Sequence, residues 1–264
     1  MSTTSHWLDR TATNAVAIRR YFDAASDHYA SRRAAEYSFI VQKRIALEFL
    51  PAGIGRVLDI GCGTATLADD LLERTQEYCG IDLSPAMIER GRARLEHHPL
   101  ASRCSLRVGD AEALAFPDGS FDAVVALGLL EYLTSYDRAL GEILRVLRPG
   151  GTVVLAVPNR ASAYRRCRLL ADRTRLGLKR LVGREPRGTE QFYWNPCIPA
   201  RLDEQLARAG FEGIAGRYCN FIFYPLHELH GGASLALNRA LSGLSASSLG
   251  QWLGAQYVVK AAKP

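Results

Sequence analysis

The sequence predicts an α/β fold in which a doubly wound, mostly parallel sheet carries helices on both faces. Apolar runs of strand length alternate with helical patterns from about residue 57 to 157, and this alternation is typical of right-handed crossovers between parallel strands. The first run ends in a glycine-rich turn, Gly61-Cys62-Gly63, and acidic residues follow the second and third runs. Because open α/β sheets bind ligands at the carboxyl ends of their strands, the same pattern locates a candidate site.

Seven strands are expected, five in the alternating region and two near the end of the chain. They are Val57–Ile60, Tyr78–Ile81, Leu106–Val108, Phe121–Ala126, Val153–Val157, Tyr218–Tyr224 and Gln256–Ala261. One intervening helix is predicted to begin at Ser84-Pro85, because serine favours the N-cap and proline the first helical residue. Another is predicted to stop at Pro149-Gly150-Gly151. A helix at about 199–209 is followed by Gly210.

We expect a single domain over residues 1–264, since a chain of this length can bury one good-sized core. Its predicted parts are a helical lid at 12–50, a core carrying the site at 56–157, a basic insertion at 158–200 and an insertion at 225–255. The last insertion is far longer than the roughly 2–5 residues of a hairpin loop, so we interpret it as a lid or pocket wall.

Composition is ordinary for a soluble globular protein, with 23% charged and 48% hydrophobic residues. No apolar run approaches the roughly 20 residues of a membrane-spanning helix, and residues 1–10 lack the apolar core of a signal peptide. The 6 cysteines are scattered without a C-x-x-C pair, so we expect reduced thiols and no bound metal. A cytoplasmic location follows as the default expectation.

The net charge of +6 is concentrated in one segment, residues 160–187, which holds ten Lys or Arg and only two acidic residues. A roughly heptad apolar stripe runs through this segment, so it is predicted to form a basic amphipathic helix of the kind found at membrane surfaces. It could equally contact an acidic partner or pack, solvated, on the sheet edge. Because the remaining chain is not basic, no nucleic-acid-binding surface is indicated.

The acidic residues at the strand ends narrow the ligand class. Asp59 precedes the glycine turn and would repel a pyrophosphate, whereas it suits an ammonium group. Asp82 follows the second strand, where an acid takes ribose hydroxyls, and Asp110 follows the third, where it suits an adenine amino group. Thr66 occupies the position at which the dinucleotide fingerprint has glycine or alanine. A nicotinamide dinucleotide is therefore disfavoured.

Together these segments resemble the class I S-adenosylmethionine-dependent methyltransferases, in the branch that includes quinone and natural-product enzymes. The matching stretches keep their order and spacing: Val57–Thr64, Gly80–Ser84, Val108–Glu112, Phe121–Val124 and Arg145–Gly151. The resemblance implies a seven-stranded, Rossmann-like sheet with its last strand antiparallel, an N-terminal helical lid and S-adenosylmethionine as cofactor. Ala65 stands where the family often has a third glycine, a departure that we expect to be tolerated because that position mainly lets the helix approach.

The resemblance also implies which residues bind the cofactor. They are Tyr21, Tyr29, Asp59, Gly61, Cys62, Gly63, Asp82, Leu83, Asp110, Ala111 and Leu127. The glycine turn would present backbone to the methionine part, with Asp59 near its ammonium. Asp82 would take the ribose, and Asp110 with the Ala111 amide would read the adenine edge. Tyr29, in the lid, would cover the cofactor near the sulfonium.

Three residues are candidates for work on the methyl acceptor: Tyr132, His227 and His230. Many relatives carry histidine where this chain has Tyr132, so histidine base catalysis from that position is not expected. The two histidines follow the sixth strand and would act as a general base or substrate contact, or else lie in an exposed polar loop. Their spacing is not the H-E-x-x-H zinc motif, so no metal is assigned.

We therefore expect methyl transfer to a small-molecule acceptor, with O-methylation of a specialised metabolite favoured over N- or C-methylation. One alternative is a membrane-associated quinone or lipid methyltransferase that uses residues 160–187 for peripheral membrane contact. Another is a fold that uses the cofactor in a non-methylating role such as cyclisation. An Asn-Pro-Pro-Tyr-type base-flipping motif is absent. The oligomeric state is not predicted.

Overall fold

The computed structural model describes residues 4–171, 195, 197–222 and 231–264. A 7-stranded sheet has the order β3-β2-β1-β4-β5-β7-β6. The strands are β1 (Ile54–Ile60), β2 (Thr75–Asp82), β3 (Cys104–Val108), β4 (Phe121–Leu127), β5 (Leu147–Pro158), β6 (Glu212–Phe221) and β7 (Gly254–Ala262). The first five pair in parallel, whereas β7 is antiparallel to both of its neighbours. The predicted fold class and its antiparallel last strand are confirmed.

The helices of the described residues cover both faces of the sheet. They are α1 (Thr4–Ala35), α2 (Tyr37–Phe49), α3 (Ala68–Leu72), α4 (Pro85–Leu95), α5 (Asp137–Val146), α6 (163–171), α7 (Pro199–Ala209), α8 (Gly231–Ala240) and α9 (Ser248–Leu253). The start of α4 matches the sequence prediction, since Ser84 Oγ accepts a hydrogen bond from the Met87 amide at 3.1 Å. Among the described helices, none is both long and apolar enough to cross a membrane.

Two apolar clusters form the core, one on each face of the sheet. Leu58 belongs to the cluster that includes residues of α5 and α7, and its neighbour Val57 belongs to the cluster that includes residues of α2, α3 and α4. Successive strand residues point to opposite faces, so a strand covered on both sides reads as a continuous apolar run. This is why β1 and β4 were recognisable from the sequence.

Element boundaries differ from the predictions at several ends. Helix α1 begins at Thr4, ahead of residue 12, and β1 begins at Ile54 directly after Gly53. The predicted helix stop at 149–151 lies inside β5, because α5 already ends at Val146. Gly150 turns there with a φ of +75°, and its amide donates to the Lys263 carbonyl at 2.9 Å. The glycines therefore shape a strand irregularity.

Candidate functional site

An open cavity lies where the carboxyl ends of the central strands meet α1, with a volume of about 860 Å³ including its mouth. Its floor comes from the ends of β1, β2 and β3, and one wall comes from the loop after β4. Helix α1 closes it from above: Asn14 Nδ2 donates to the Tyr132 carbonyl at 3.0 Å. The Phe22 ring meets the Tyr132 ring edge to face, with centroids 5.3 Å apart. The strand ends thus form a covered site, as the sequence pattern predicts.

The three backbone amides of the glycine turn are engaged within the protein. The amides of Gly61 and Cys62 both donate to the Ile81 carbonyl, at 2.8 and 3.0 Å. The Gly63 amide donates to Asp82 Oδ2 at 2.8 Å. A phosphate needs free N–H donors, and all three amides of the turn are already engaged. The turn therefore lacks the free donors of a phosphate site.

Asp82 lines the cavity at the end of β2. Its second oxygen, Oδ1, accepts from the Ser84 amide at 2.9 Å, so each carboxylate oxygen is held by one backbone donor. Burial raises the pKa of this carboxyl, while the hydrogen bonds from Ser84 and Gly63 act to lower it. A carboxylate oxygen can accept more than one hydrogen bond, so Asp82 can fix the turn and still accept from two neighbouring hydroxyl groups of a sugar.

Beyond Asp82, the far end of the cavity is lined by both polar and apolar groups. Leu83, Asp110 and Ala111 line it. Asp110 Oδ1 accepts from the Glu112 amide at 2.9 Å, which orients its carboxylate. An apolar side chain beside a carboxylate and backbone amides suits a flat heterocycle with an exocyclic amino group.

Comparisons with known proteins agree with this geometry. A methyltransferase-domain family model matches residues 58–155. A demethylmenaquinone methyltransferase of Thermus thermophilus is 43% identical over 114 residues, covering 42% of this chain and 49% of that protein. A phosphatidylethanolamine N-methyltransferase of Cereibacter sphaeroides is 37% identical over 139 residues, covering 50% of this chain and 67% of that protein. The chain belongs to the class I S-adenosylmethionine-dependent methyltransferases.

A solved structure shows the same fold at lower identity. The [4+2]-cyclase SpnF superposes with a TM-score of 0.57 and 23% identity, over 84% of this chain and 79% of that one. The chain spans between 41% and 57% of the length of the curated relatives that it matches first. The predicted family and its cofactor, S-adenosylmethionine, are confirmed.

The methyltransferase cavity fits S-adenosylmethionine along its length. Gly61 and Gly63 of the turn, Asp82 at the end of β2, and Leu83, Asp110 and Ala111 beyond it all line the cavity. Tyr29 lies over the turn: a Cβ added to Gly63 would approach Tyr29 Cε1 to 2.9 Å. The lid tyrosine is therefore placed as expected, and the glycine at 63 makes room for its ring.

Four predicted cofactor residues do not line the methyltransferase cavity. Asp59 lies beneath the turn, where it accepts a 2.7 Å hydrogen bond from the Tyr78 hydroxyl; burial raises its pKa to about 7. Cys62 is buried, and its Sγ packs beside Gly80. Leu127 is 8% exposed, and its carbonyl accepts from Arg33 Nη2 at 3.5 Å. Asp59 thus lies behind the turn and makes no direct contribution to the cavity wall.

Tyr21 is the fourth, and helix geometry explains why. Its side chain is 38% exposed, while Ile18, Phe22 and Tyr29 of α1 line the cavity. Residues three, four and seven apart share a helix face, and a residue one position away does not. The cavity-facing stripe on α1 follows this periodicity, and of its residues only Tyr29 was singled out from the sequence.

Asp23 was missed as a site residue and fastens α1 over the cavity. Its Oδ1 accepts from the Ser84 hydroxyl and from the Ala86 amide at 3.4 Å. One turn further on, Asp27 pairs with Arg90 of α4. The sequence does show two carboxylates spaced four residues apart on α1. It does not show that their partners lie on α4.

The third-glycine position departs from expectation for a conformational reason. Ala65 is fully buried and adopts a φ of +57°, in the left-handed region that glycine occupies without strain. We expected alanine to be tolerated because this position mainly lets the helix approach. That reason was wrong, since the backbone conformation is what favours glycine here.

The three acceptor-side candidates have different outcomes. Tyr132 lines the cavity, and burial together with the charge of Glu131 raises its pKa above the usual range. It therefore remains a neutral phenol that can donate a hydrogen bond, and it is a poor base. His227 and His230 lie outside the described residues, so their roles stay predictions.

Proposed function

We propose that this chain transfers the methyl group of S-adenosylmethionine to an oxygen atom of a small organic acceptor with an apolar body. The observation that carries the proposal is the glycine turn with all its amides engaged, next to Asp82 and beneath the α1 lid. When bound, S-adenosylmethionine supplies a methyl group on a positively charged sulfur. The remaining work, which is to bind, orient and exclude water, belongs to the chain.

The acceptor end of the cavity supports an apolar body and an oxygen nucleophile. Ile18 and Phe22 of the lid, with Leu129 and Leu133 of the loop after β4, present apolar side chains. The neutral phenol of Tyr132 is a donor, and a donor suits the lone pairs of an acceptor oxygen better than an ammonium group. Holding the acceptor in line with the methyl group can contribute about 7–11 kcal/mol to lowering the barrier.

Formation of S-adenosylhomocysteine tests the activity directly. The full chain would be incubated with S-adenosylmethionine and a panel of alkyl-substituted phenols, catechols and hydroquinones, alongside matched aryl amines. We expect product with the hydroxyl compounds that disappears in the Asp82→Ala variant. Methylation of the amines alone would contradict O-methylation. Conversion of an acceptor without S-adenosylhomocysteine would instead support a non-methylating reaction such as cyclisation.

A specific surface favours a second candidate, a lipid-like acceptor taken up at a membrane. On α6, Leu169 and Leu170 are 54% and 62% exposed, beside the exposed Arg166 and Arg168. Exposed leucines flanked by arginines suit an anionic lipid surface. Two relatives named above are a demethylmenaquinone and a phosphatidylethanolamine methyltransferase, and both names describe lipid-soluble acceptors. Residues 172–187 of the predicted basic helix lie outside the described residues.

Vesicle co-sedimentation separates the two candidates. We expect binding to vesicles containing phosphatidylglycerol, and not to phosphatidylcholine alone, if the surface is used. Binding should weaken when Arg166 and Arg168 are changed to glutamine, and when Leu169 and Leu170 are changed to serine. Equal recovery of all variants with both vesicle types would remove this second candidate and leave a soluble acceptor.

A further inference from the structure

A buried carboxylate beside the cavity has one oxygen that makes no hydrogen bond within the described part of the chain. Glu131 follows β4 in the loop that supplies Leu129 and Tyr132 to the cavity wall. Its side chain is 7% exposed, and Oε2 makes no hydrogen bond with any described residue. A buried polar atom without a partner costs about 1–3 kcal/mol, and more when it is charged. Such an atom calls for a functional reason.

Gly128 separates this carboxylate from the cavity. Gly128 lines the cavity, and a Cβ added there would lie 3.5 Å from Glu131 Oε1 and 3.1 Å from Arg33 Nη2. Because residue 128 has no side chain, the space that a Cβ would fill there borders Glu131 Oε1, whereas Oε2 is enclosed. Oε1 thus lies directly behind the part of the cavity wall that Gly128 and Tyr132 form.

The nearest guanidinium is held by other groups. Arg33 Nη1 pairs with Glu36 at 3.2 Å, Nη2 donates to the Leu127 carbonyl at 3.5 Å, and its guanidinium stacks 4.3 Å from the centroid of the Phe39 ring. Arg33 therefore contributes positive charge near Glu131 without forming an ion pair with it. A guanidinium so placed favours a negatively charged oxygen in the space between.

We propose that Glu131 accepts the proton of the acceptor hydroxyl during methyl transfer, and that the acceptor is a phenol or enol. This inference rests on the proposed O-methylation. The acceptor O–H bond breaks and its proton passes to the Glu131 carboxylate. The oxygen electron pair forms the O–CH₃ bond while the C–S bond breaks, and S-adenosylhomocysteine leaves as a neutral thioether. Glu131 then returns its proton to water.

The charged groups that face Glu131 fit this role. Burial, the largest effect, raises the pKa of its carboxyl to about 7, while a hydrogen bond from its own backbone amide and the charges of Arg33 of α1 and Arg165 of α6 act to lower that pKa. A general base works best when its pKa lies near the operating pH. Tyr132, from the same loop, stays protonated. The two arginines stabilise the oxyanion that forms as the proton leaves, which favours acidic hydroxyls over aliphatic alcohols.

Kinetics of Glu131→Gln with the phenol and hydroquinone panel test the inference. We expect kcat to fall by about 100-fold or more, the size of a lost general base, while the calorimetric Kd for S-adenosylmethionine stays within about threefold. The acidic limb of the kcat against pH profile should disappear. Glu131→Asp should recover part of the rate. Glu77→Gln, whose side chain is 59% exposed on β2, is the matched control.

Thermal unfolding distinguishes this role from a structural one. Because Glu131 is buried without a partner for Oε2, neutralising it should leave the stability at pH 8 unchanged or higher. A structural carboxylate would instead show lower stability and weaker cofactor binding in Glu131→Gln. Phenol turnover by Glu131→Gln within threefold of wild type would overturn the proposed role of Glu131 and leave the proposed function standing. Cofactor binding with no methylation of any hydroxyl compound would overturn the proposed function and this inference together.

Discussion

Replacing Asp59 by asparagine should stabilise the folded state increasingly as the pH rises. It should also weaken cofactor binding. Asp59 is 4% exposed, and burial raises the pKa of its carboxyl to about 7 from an ordinary value of 3.8. Tyr78 lowers that pKa by donating to Oδ2 at 2.7 Å. The folded state therefore holds a proton that the unfolded chain releases, and stability decreases as the pH rises between these two values.

The magnitude follows from the difference in pKa. At 1.36 kcal/mol for each unit, the raised pKa costs the folded state about 4 kcal/mol at pH 8, where Asp59 is ionised in both states. At pH 5 it costs about 2 kcal/mol, because the folded carboxyl is protonated there while the unfolded one is ionised. Asparagine keeps an oxygen for the Tyr78 hydroxyl, and its buried NH₂ adds a penalty that does not vary with pH. The stability difference between variant and wild type should thus grow by roughly 2–3 kcal/mol from pH 5 to 8.

Unfolding of both proteins in denaturant at pH 5, 6, 7 and 8 provides the measurement. In thermal scans the same change corresponds to roughly 5–10 °C for a chain of this size. Affinity for S-adenosylmethionine at pH 8 should fall about tenfold or more, because the negative charge below the turn is lost. Asp118→Asn, with a side chain 79% exposed, should show no pH-dependent difference. A constant difference for Asp59→Asn across this range would refute the reasoning.

Three further substitutions probe the turn and the lid. Gly63→Ala places a Cβ 2.9 Å from Tyr29 Cε1 at a φ of +54°, so calorimetry should show cofactor affinity reduced about tenfold or more, with Tyr29→Ala restoring only part of it. Ala65→Gly relieves left-handed strain and should be about 1–2 kcal/mol less destabilising than Ala123→Gly, at an equally buried strand position, in denaturant unfolding. Asp23→Ala removes the contacts to α4, so hydrogen exchange of α1 amides should speed up and cofactor affinity should fall severalfold; unchanged exchange would exclude a fastening role.

The strand positions and the cofactor end of the site were predictable because they depend on local patterns. Strands buried on both faces are continuous apolar runs, and each carboxyl end is followed by a residue with a recognisable preference. Asp82, Leu83, Asp110 and Ala111 line the cavity where the motifs placed them. Sequence motifs predict this end of the site well because each strand end contributes residues that are adjacent in the chain.

Contacts between distant segments were not predictable. Tyr78 holds Asp59 from the neighbouring strand, and this pairing moves the carboxylate from the cavity wall to a place beneath the turn. The Asp23 contact with Ser84 joins residues 61 positions apart. Side-chain direction and strand register decide such pairs, and neither leaves a periodic signal in the sequence.

The acceptor end of the site was only partly predictable from the sequence. Glu131 sits in a loop whose apolar residues were visible, yet its burial depends on α1 and α6 packing against that loop. Nothing in the local sequence distinguishes it from an exposed glutamate such as Glu77. Gly128 could be recognised only once its φ of +80° and its neighbours were known.

Calorimetric titration with S-adenosylmethionine tests the central claim that the cavity at the strand ends holds this cofactor. Wild type should bind one equivalent, and Asp82→Ala should lose binding, because one carboxylate both fixes the turn at Gly63 and faces the ribose position. Asp118→Ala should bind like wild type. Absence of binding in wild type, or unchanged affinity in Asp82→Ala, would contradict the assignment of the site.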